Sequence, residues 1–331
     1  MIKFRTEVEL PDFENKLGYR RQSMMIGSCF AGNIGNYLRD YCFPIVVNPF
    51  GILYNPISIA NCLDFLLTGK KFTEHDLFFS NGLFNSFSHH GQFSGTDLNK
   101  TLQRMNSSAA EAFEVLKNCS HLFITFGTSW VFEHKATGNV VSNCHKLPAS
   151  TFRHYRLSIE ETTAVWVSLI EKLHQVNPDL QLVFTVSPIR HLKDGAHENQ
   201  LSKSILLMVI EFLQSRFGNE LVNYFPAYEL VMDELRDYRF YATDMIHPAE
   251  VAVDFILEKF IVATLDAESR GVITDFAKIL QALKHRVLDN SNMGYKAFIL
   301  NQIEKANQLQ VKYPFVDFKV VIEKLYEKIS D

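Results

Sequence analysis

The sequence predicts an α/β fold built on a parallel sheet. Three observations carry that expectation. Short apolar runs alternate with helical patterns five times before residue 265. The fourth run, Leu180 to Val186, is apolar nearly throughout, as a strand covered on both faces is. The segments that follow the runs carry the polar, chemically useful residues, which is where open α/β sheets build their sites. From about Asp266 the pattern changes to helices alone. The chain therefore divides into an α/β domain over 1–265 and a C-terminal helical extension over 266–331.

Residues 1–22 read as an N-terminal arm. Ser23 to Ile26 is the first strand, stopped by Gly27-Ser28, and Phe30, Ile34, Tyr37 and Leu38 give the following helix to about Asp40. Ile45 to Val47 is a short β-branched strand before a Pro/Gly turn. Asn55-Pro56 starts a helix, with proline at its tolerated early position, and Gly69 ends it. Residues 70–95 are irregular and aromatic, an insertion with a short hairpin folded over the site. Asp97 to Lys117 is helical, with Leu98, Leu102, Met105, Ala109, Phe113 and Leu116 on one stripe.

His121 to Phe126 is the third strand, and Val131 to Ser142 a hairpin turning at Gly138-Asn139. Ser158-Ile-Glu-Glu161 is a capping box opening a helix to about Val176. After the fourth strand and its polar loop, His197 to Phe217 is helical and Leu221 to Phe225 is the fifth strand. A short helix, Ala227 to Leu235, leads to Tyr241-Ala-Thr-Asp-Met-Ile-His-Pro248, where a helix starts and runs to Leu265. In the extension, stripes such as Val272, Phe276, Ile279 and Leu283 fit packing on the domain or on a second copy, so a homodimer through these helices is an expectation.

Composition narrows the function classes. Of 331 residues, 47% are hydrophobic, which supports a large core and argues against disorder. A net charge of −4 with no basic run makes nucleic acid a poor partner. Charges at Lys3, Arg5 and Glu7 interrupt what a signal peptide needs as an apolar core, and no apolar run of about 18 residues suggests a membrane span. Five scattered cysteines without a C-x-x-C pair suggest reduced, mostly buried thiols and a cytoplasmic chain.

The stretch Met24 to Asn36 admits three readings. Gly27 and Gly32 have phosphate-loop spacing, but Asn33-Ile34 follow where Lys and Ser/Thr are needed. Ser28 is otherwise a helix cap on a tight turn, or a nucleophile on that turn, which requires a histidine and an orienting acid elsewhere. Asp244 and His247 supply such a pair. If Pro248 opens a helix, His247 sits at its cap, and Asp244 reaches Nδ1 and leaves Nε2 free as a base. His89, His90, His145 and His191 lack metal-ligand spacing, so no metal is expected. His145, Arg190 and His191 read as substrate contacts. Arg190 suits a carboxylate or phosphate, or else a surface ion pair with Asp194.

Gly27-Ser28-Cys29-Phe30-Ala31 resembles the signature of the GSCFA family, a branch of the SGNH (GDSL-like) hydrolase superfamily. The resemblance extends through Asn48-Pro-Phe-Gly51, Gly127-Thr-Ser-Trp130, Asn143-Cys-His-Lys146, Ser187-Pro-Ile-Arg-His191 and Asp244-Met-Ile-His247. It implies a three-layer α/β/α, flavodoxin-like fold with a five-stranded parallel sheet. It also implies Ser28 as nucleophile, Gly51 as an oxyanion glycine, and Asp244 and His247 as the final block. The third block departs from the superfamily: Gly127-Thr128-Ser129-Trp130 stands where Gly-x-Asn-Asp is expected. The oxyanion is expected to receive the backbone N–H groups of Ser28 and Gly51; the missing amide donor, worth about 100- to 1000-fold in turnover, is replaced by Asn143 or by the Ser129 hydroxyl, or else the site is weakened. The expected activity is a serine esterase or O-acyltransferase, acting without a cofactor on an acylated carbohydrate or similar ester. A non-catalytic glycan- or nucleotide-binding module on the same fold is the second reading, and a flavin protein a weaker third.

Overall fold

The computed structural model describes residues 5–284 and 293–330. The first four residues of the N-terminal arm, and residues 285–292 and 331 of the extension, lie outside the described residues. Five strands form one parallel sheet: β1 (Ser23–Gly27), β2 (Ile45–Val47), β5 (His121–Phe126), β9 (Gln181–Val186) and β10 (Val222–Tyr224). Their spatial order is β10-β9-β5-β1-β2, the flavodoxin-like winding, with every pairing parallel. The fold class read from the alternation of runs is therefore the one observed.

Period-two alternation explains the two cores. Met24 and Ile26 of β1, Leu122, Ile124 and Phe126 of β5, and Leu182, Phe184 and Val186 of β9 point to one face. There they meet α2 (Pro56–Leu67), α3 (Leu98–Leu116), α4 (Ile159–Val176) and α5 (Ala196–Phe217). Trp166 of α4, fully buried, sets its ring edge-on to Phe126 and Phe184. Met25, Phe123 and Val183 point to the other face, onto α1 (Cys29–Asp40) and α7 (Glu250–Thr264). Each fully buried apolar side chain of this size contributes about 1.5–3 kcal/mol.

The helices α8 (Ala267–Lys284), α9 (Met293–Lys312) and α10 (Lys319–Ser330) join the second core. Phe276 of α8 packs on Tyr41 and Phe318, and Ile299, Ile303 and Leu325 complete the same cluster. The N-terminal arm is strapped across this face, with the Leu17 N–H donating to Thr264 O and the Asp266 N–H to Leu17 O. Among the described residues no helix is long and apolar enough to cross a membrane.

Local expectations meet mixed outcomes. The capping box at Ser158 and Glu161 forms in both directions, Glu161 N–H to Ser158 Oγ and Ser158 N–H to a Glu161 oxygen. The insertion contains the short hairpin β3 (Phe78–Ser80) and β4 (Leu83–Asn85). The expected hairpin after β5 is β6 (Trp130–His134) and β7 (Asn139–Val141), with the turn falling before Asn139. A further strand, β8 (Phe152–Arg156), pairs with the other edge of β6 to make a three-stranded antiparallel sheet. The short helix after the fifth strand is α6 (Ala227–Glu229), continued by a π-helical turn over Leu230–Glu234. Pro248 does not open α7. The chain is still extended there, with Tyr241 bridged to Pro248 and the Ala249 N–H donating to Phe240 O, so the helix begins at Glu250.

Candidate active site

Residue 27 must be glycine. It has φ +139°, and a Cβ there would lie 2.3 Å from Thr125 O of the neighbouring strand. The Gly27 N–H donates to Asn48 Oδ1 at 2.9 Å and the Leu53 N–H donates to Gly27 O at 2.9 Å, so the Asn48-Pro-Phe-Gly51 turn braces this bend from behind. Ser28 follows in extended conformation as the cap of α1, its Oγ accepting from the Phe30 N–H at 3.3 Å. Cap and cavity wall coincide: Ser28 is 1% exposed and borders a cavity of about 720 Å³ at the carboxyl ends of β1, β5 and β9.

His247 borders the same cavity. Its Nδ1 lies 2.6 Å from Asp244 Oδ2, while Asp244 Oδ1 accepts the N–H groups of Ile246 and His247. Those two backbone donors, followed by the imidazole, hold the Asp244 carboxyl down to about 2. With Asp244 on Nδ1, Nε2 is the nitrogen left for a reacting group. The pair hangs on an exposed turn, Ala242 N–H to His247 O and Met245 N–H to Ala242 O, with Met245 at φ +59° and the two side chains 54% and 48% exposed. No hydrogen bond joins Ser28 Oγ to His247 among the described residues.

The expected oxyanion donors divide. Asn143 lies in the cavity wall; its Oδ1 accepts the His145 N–H, leaving the amide NH₂ free to donate. Ser129 is fully buried and turned away, its N–H and Oγ both bonded to Ser202 Oγ. The Gly51 N–H closes its own turn on Asn48 O at 2.7 Å, and the Ser28 N–H donates to Thr125 O at 3.3 Å. In the structure all three groups are already engaged, Ser129 by a side chain of α5 and the N–H groups of Gly51 and Ser28 by backbone carbonyls, so none of them stands free for an oxyanion. The Cys29 N–H belongs to the first turn of α1, whose N–H groups have no partner within the helix.

His191 and Arg190 border the cavity as expected, but His145 does not; its ring holds Ser86 O at 2.8 Å and ties the insertion down. Burial, then the charges of Lys203 and His247, lower His191 to about 4, so it is neutral at pH 7. Asp194 does not pair with Arg190; it faces His154 at 3.8 Å. Of the aromatic insertion, His90 reaches the wall. The five cysteines are free thiols. Cys62 and Cys119 are buried as expected, while Cys29 and Cys144 border the cavity rather than filling a core.

The machinery beneath the site comes from α5. Asn199 Oδ1 accepts the His191 N–H at 2.8 Å, and Ser202 Oγ holds Ser129 and Thr128. Lys203 is fully buried and donates to Gly127 O at 2.6 Å and Ser187 O at 2.7 Å, clamping the loops after β5 and β9 together. Burial lowers its ammonium to about 7. Sequence reading missed all three. The signal was available: positions 199, 202 and 203 continue the stripe of Leu206, Val209, Ile210 and Leu213 toward the cavity.

Comparison with known proteins follows these observations. A search of curated proteins finds no match. An acetyl xylan esterase from the rumen bacterium Butyrivibrio proteoclasticus is similar at 10% identity and a TM-score of 0.36, over 75% of this chain and 64% of the esterase. The chain thus spans less than two thirds of that protein. The GSCFA family matches residues 22–260, and the GSCFA domain protein, C-terminal domain, matches residues 276–331. With its glycine bend, capping serine and strand-end cavity inside the matched region, this chain belongs to the GSCFA family.

Proposed function

We propose that the protein is an SGNH-type serine ester hydrolase or O-acyltransferase acting on an acylated carbohydrate or similar hydroxylated ester. The observation that carries the reading is the Asp244–His247 pair at 2.6 Å on the wall of the cavity that Ser28 borders. In the reaction the exposed turn closes and His247 Nε2 takes the Ser28 proton as Oγ attacks the ester carbonyl. The oxyanion receives the Cys29 N–H and the Asn143 amide. The tetrahedral species expels the alcohol, which leaves with the proton from His247. Water or an acceptor hydroxyl, deprotonated by His247, then takes the acyl group from Ser28 and frees the enzyme. p-Nitrophenyl acetate turnover in the wild type and Ser28→Ala tests this: a loss of about 10³-fold or more is expected, and equal rates remove the claim.

A second reading, a non-catalytic glycan- or nucleotide-binding module, is favoured by the engaged N–H groups of Ser28 and Gly51. A fluorophosphonate probe separates the two. Labelling at Ser28 means an activated hydroxyl, and an unlabelled protein supports binding alone.

A further inference from the structure

The cavity has a second half that the serine chemistry does not use. On β6, Trp130 and Phe132 alternate onto one face, and across the strand pair His154 of β8 stacks on Phe132 at 4.2 Å with an interplanar angle of 8°. Trp130 lies 4.7 Å from the same imidazole. These three rings border the cavity, and the buried Trp130 Nε1 has no hydrogen-bond partner among the described residues.

The loop after β9 brings Arg190 and Lys193 to the lining of the same cavity. Neither forms an ion pair among the described residues. Arg190 Nη2 rests 3.0 Å from the Met232 sulfur, and Lys193 Nζ sits 5.5 Å from the Phe132 ring centroid. The acidic side chain in the wall, Asp194, faces His154, and Asp244 outside it is committed to His247. The chain as a whole carries −4, so two cations without an ion pair on one cavity lining are a local arrangement and not general basicity.

We infer that the hydroxylated half of the substrate is a ring compound bearing an acidic group, carboxylate or phosphate. Its ring lies on the Trp130–Phe132 wall and its anion meets Arg190 and Lys193. The inference rests on the proposed ester chemistry for its kinetic test, and has a binding test that does not.

The probes are 4-acetoxybenzoate, 4-acetoxyphenyl phosphate and the neutral 4-acetoxybenzamide, which share ring and acetyl group. The wild type is expected to favour an anionic ester over the benzamide by about tenfold or more in kcat/KM, the worth of one charge-assisted contact. The ratio falls toward one in the Arg190→Gln/Lys193→Gln variant. Whichever anion gives the larger ratio identifies the acidic group. Equal rates across the three esters, or a preference that survives in the variant, overturn the inference. If no ester is turned over, the proposed function fails first, and calorimetry with 4-hydroxybenzoate and 4-hydroxybenzamide decides the present point. Tighter binding of the benzoate, lost in the variant, supports it; equal binding overturns it.

Discussion

Two parts of one cavity are held in opposite ways. The loops after β5 and β9 are clamped from below by α5: Lys203 takes a carbonyl from each, Ser202 holds Thr128 and Ser129, and Asn199 holds His191, all near full burial. The turn carrying Asp244 and His247 is held chiefly by its own hydrogen bonds and stands half in water. A buried clamp resists displacement because any carbonyl it releases has no water to replace it. A solvated turn loses little when it moves. The first part is therefore fixed to the core, and the chemistry proposed above depends on the second.

That division can be broken deliberately. The largest effect is expected from Asp244→Ala, which leaves His247 without its orienting acid: turnover drops about 10⁴-fold while the thermal melt stays in place. Steady-state kinetics and circular dichroism on the same sample read both, and turnover within twofold of wild type removes Asp244 from the mechanism. Lys203→Ala should do the reverse to the fold, lowering stability by about 2–4 kcal/mol through two stranded carbonyls and a cavity. Urea unfolding measures it, and an unchanged midpoint contradicts the clamp.

The smallest effect concerns pH. His191 is lowered from 6.5 to about 4, first by burial. As pH falls below 6.5 the unfolded chain takes up this proton and the folded one does not, so stability is lost from 6.5 down to about 4. The share of His191 is about 2 kcal/mol at pH 5. Replacing it by leucine should flatten the pH 7 to pH 5 difference by that amount. His121, lowered to about 4 at the opposite end of β5, keeps its own share.

What could be read in the sequence followed from local rules. The Gly27 bend, the Ser158 box and the parallel strands are each specified by neighbours a few residues apart, and all are present. The Asp244–His247 contact was legible for the same reason, a three-residue spacing. For the clamp only the place of Lys203 on the apolar stripe of α5 was legible; its partners were not, because a lone lysine inside a helix ordinarily faces solvent and only the fold brings Gly127 and Ser187 within its reach. The strand β8 was missed because Phe152–Arg156 is basic and carries a single buried residue, Phe152, so its pairing comes from β6 rather than from its own pattern. The engagement of Ser129 was equally out of reach, since it depends on Ser202 arriving from α5, 73 residues along the chain.

The placement of the two tryptophans gives the molecule a built-in gauge. Trp166 is sealed in the core against Phe126 and Phe184, whereas Trp130 stands in the cavity wall under the Arg156 guanidinium at 5.8 Å. Intrinsic emission therefore has one constant source and one source that changes when the cavity fills, so occupancy becomes visible as a spectral shift without any label.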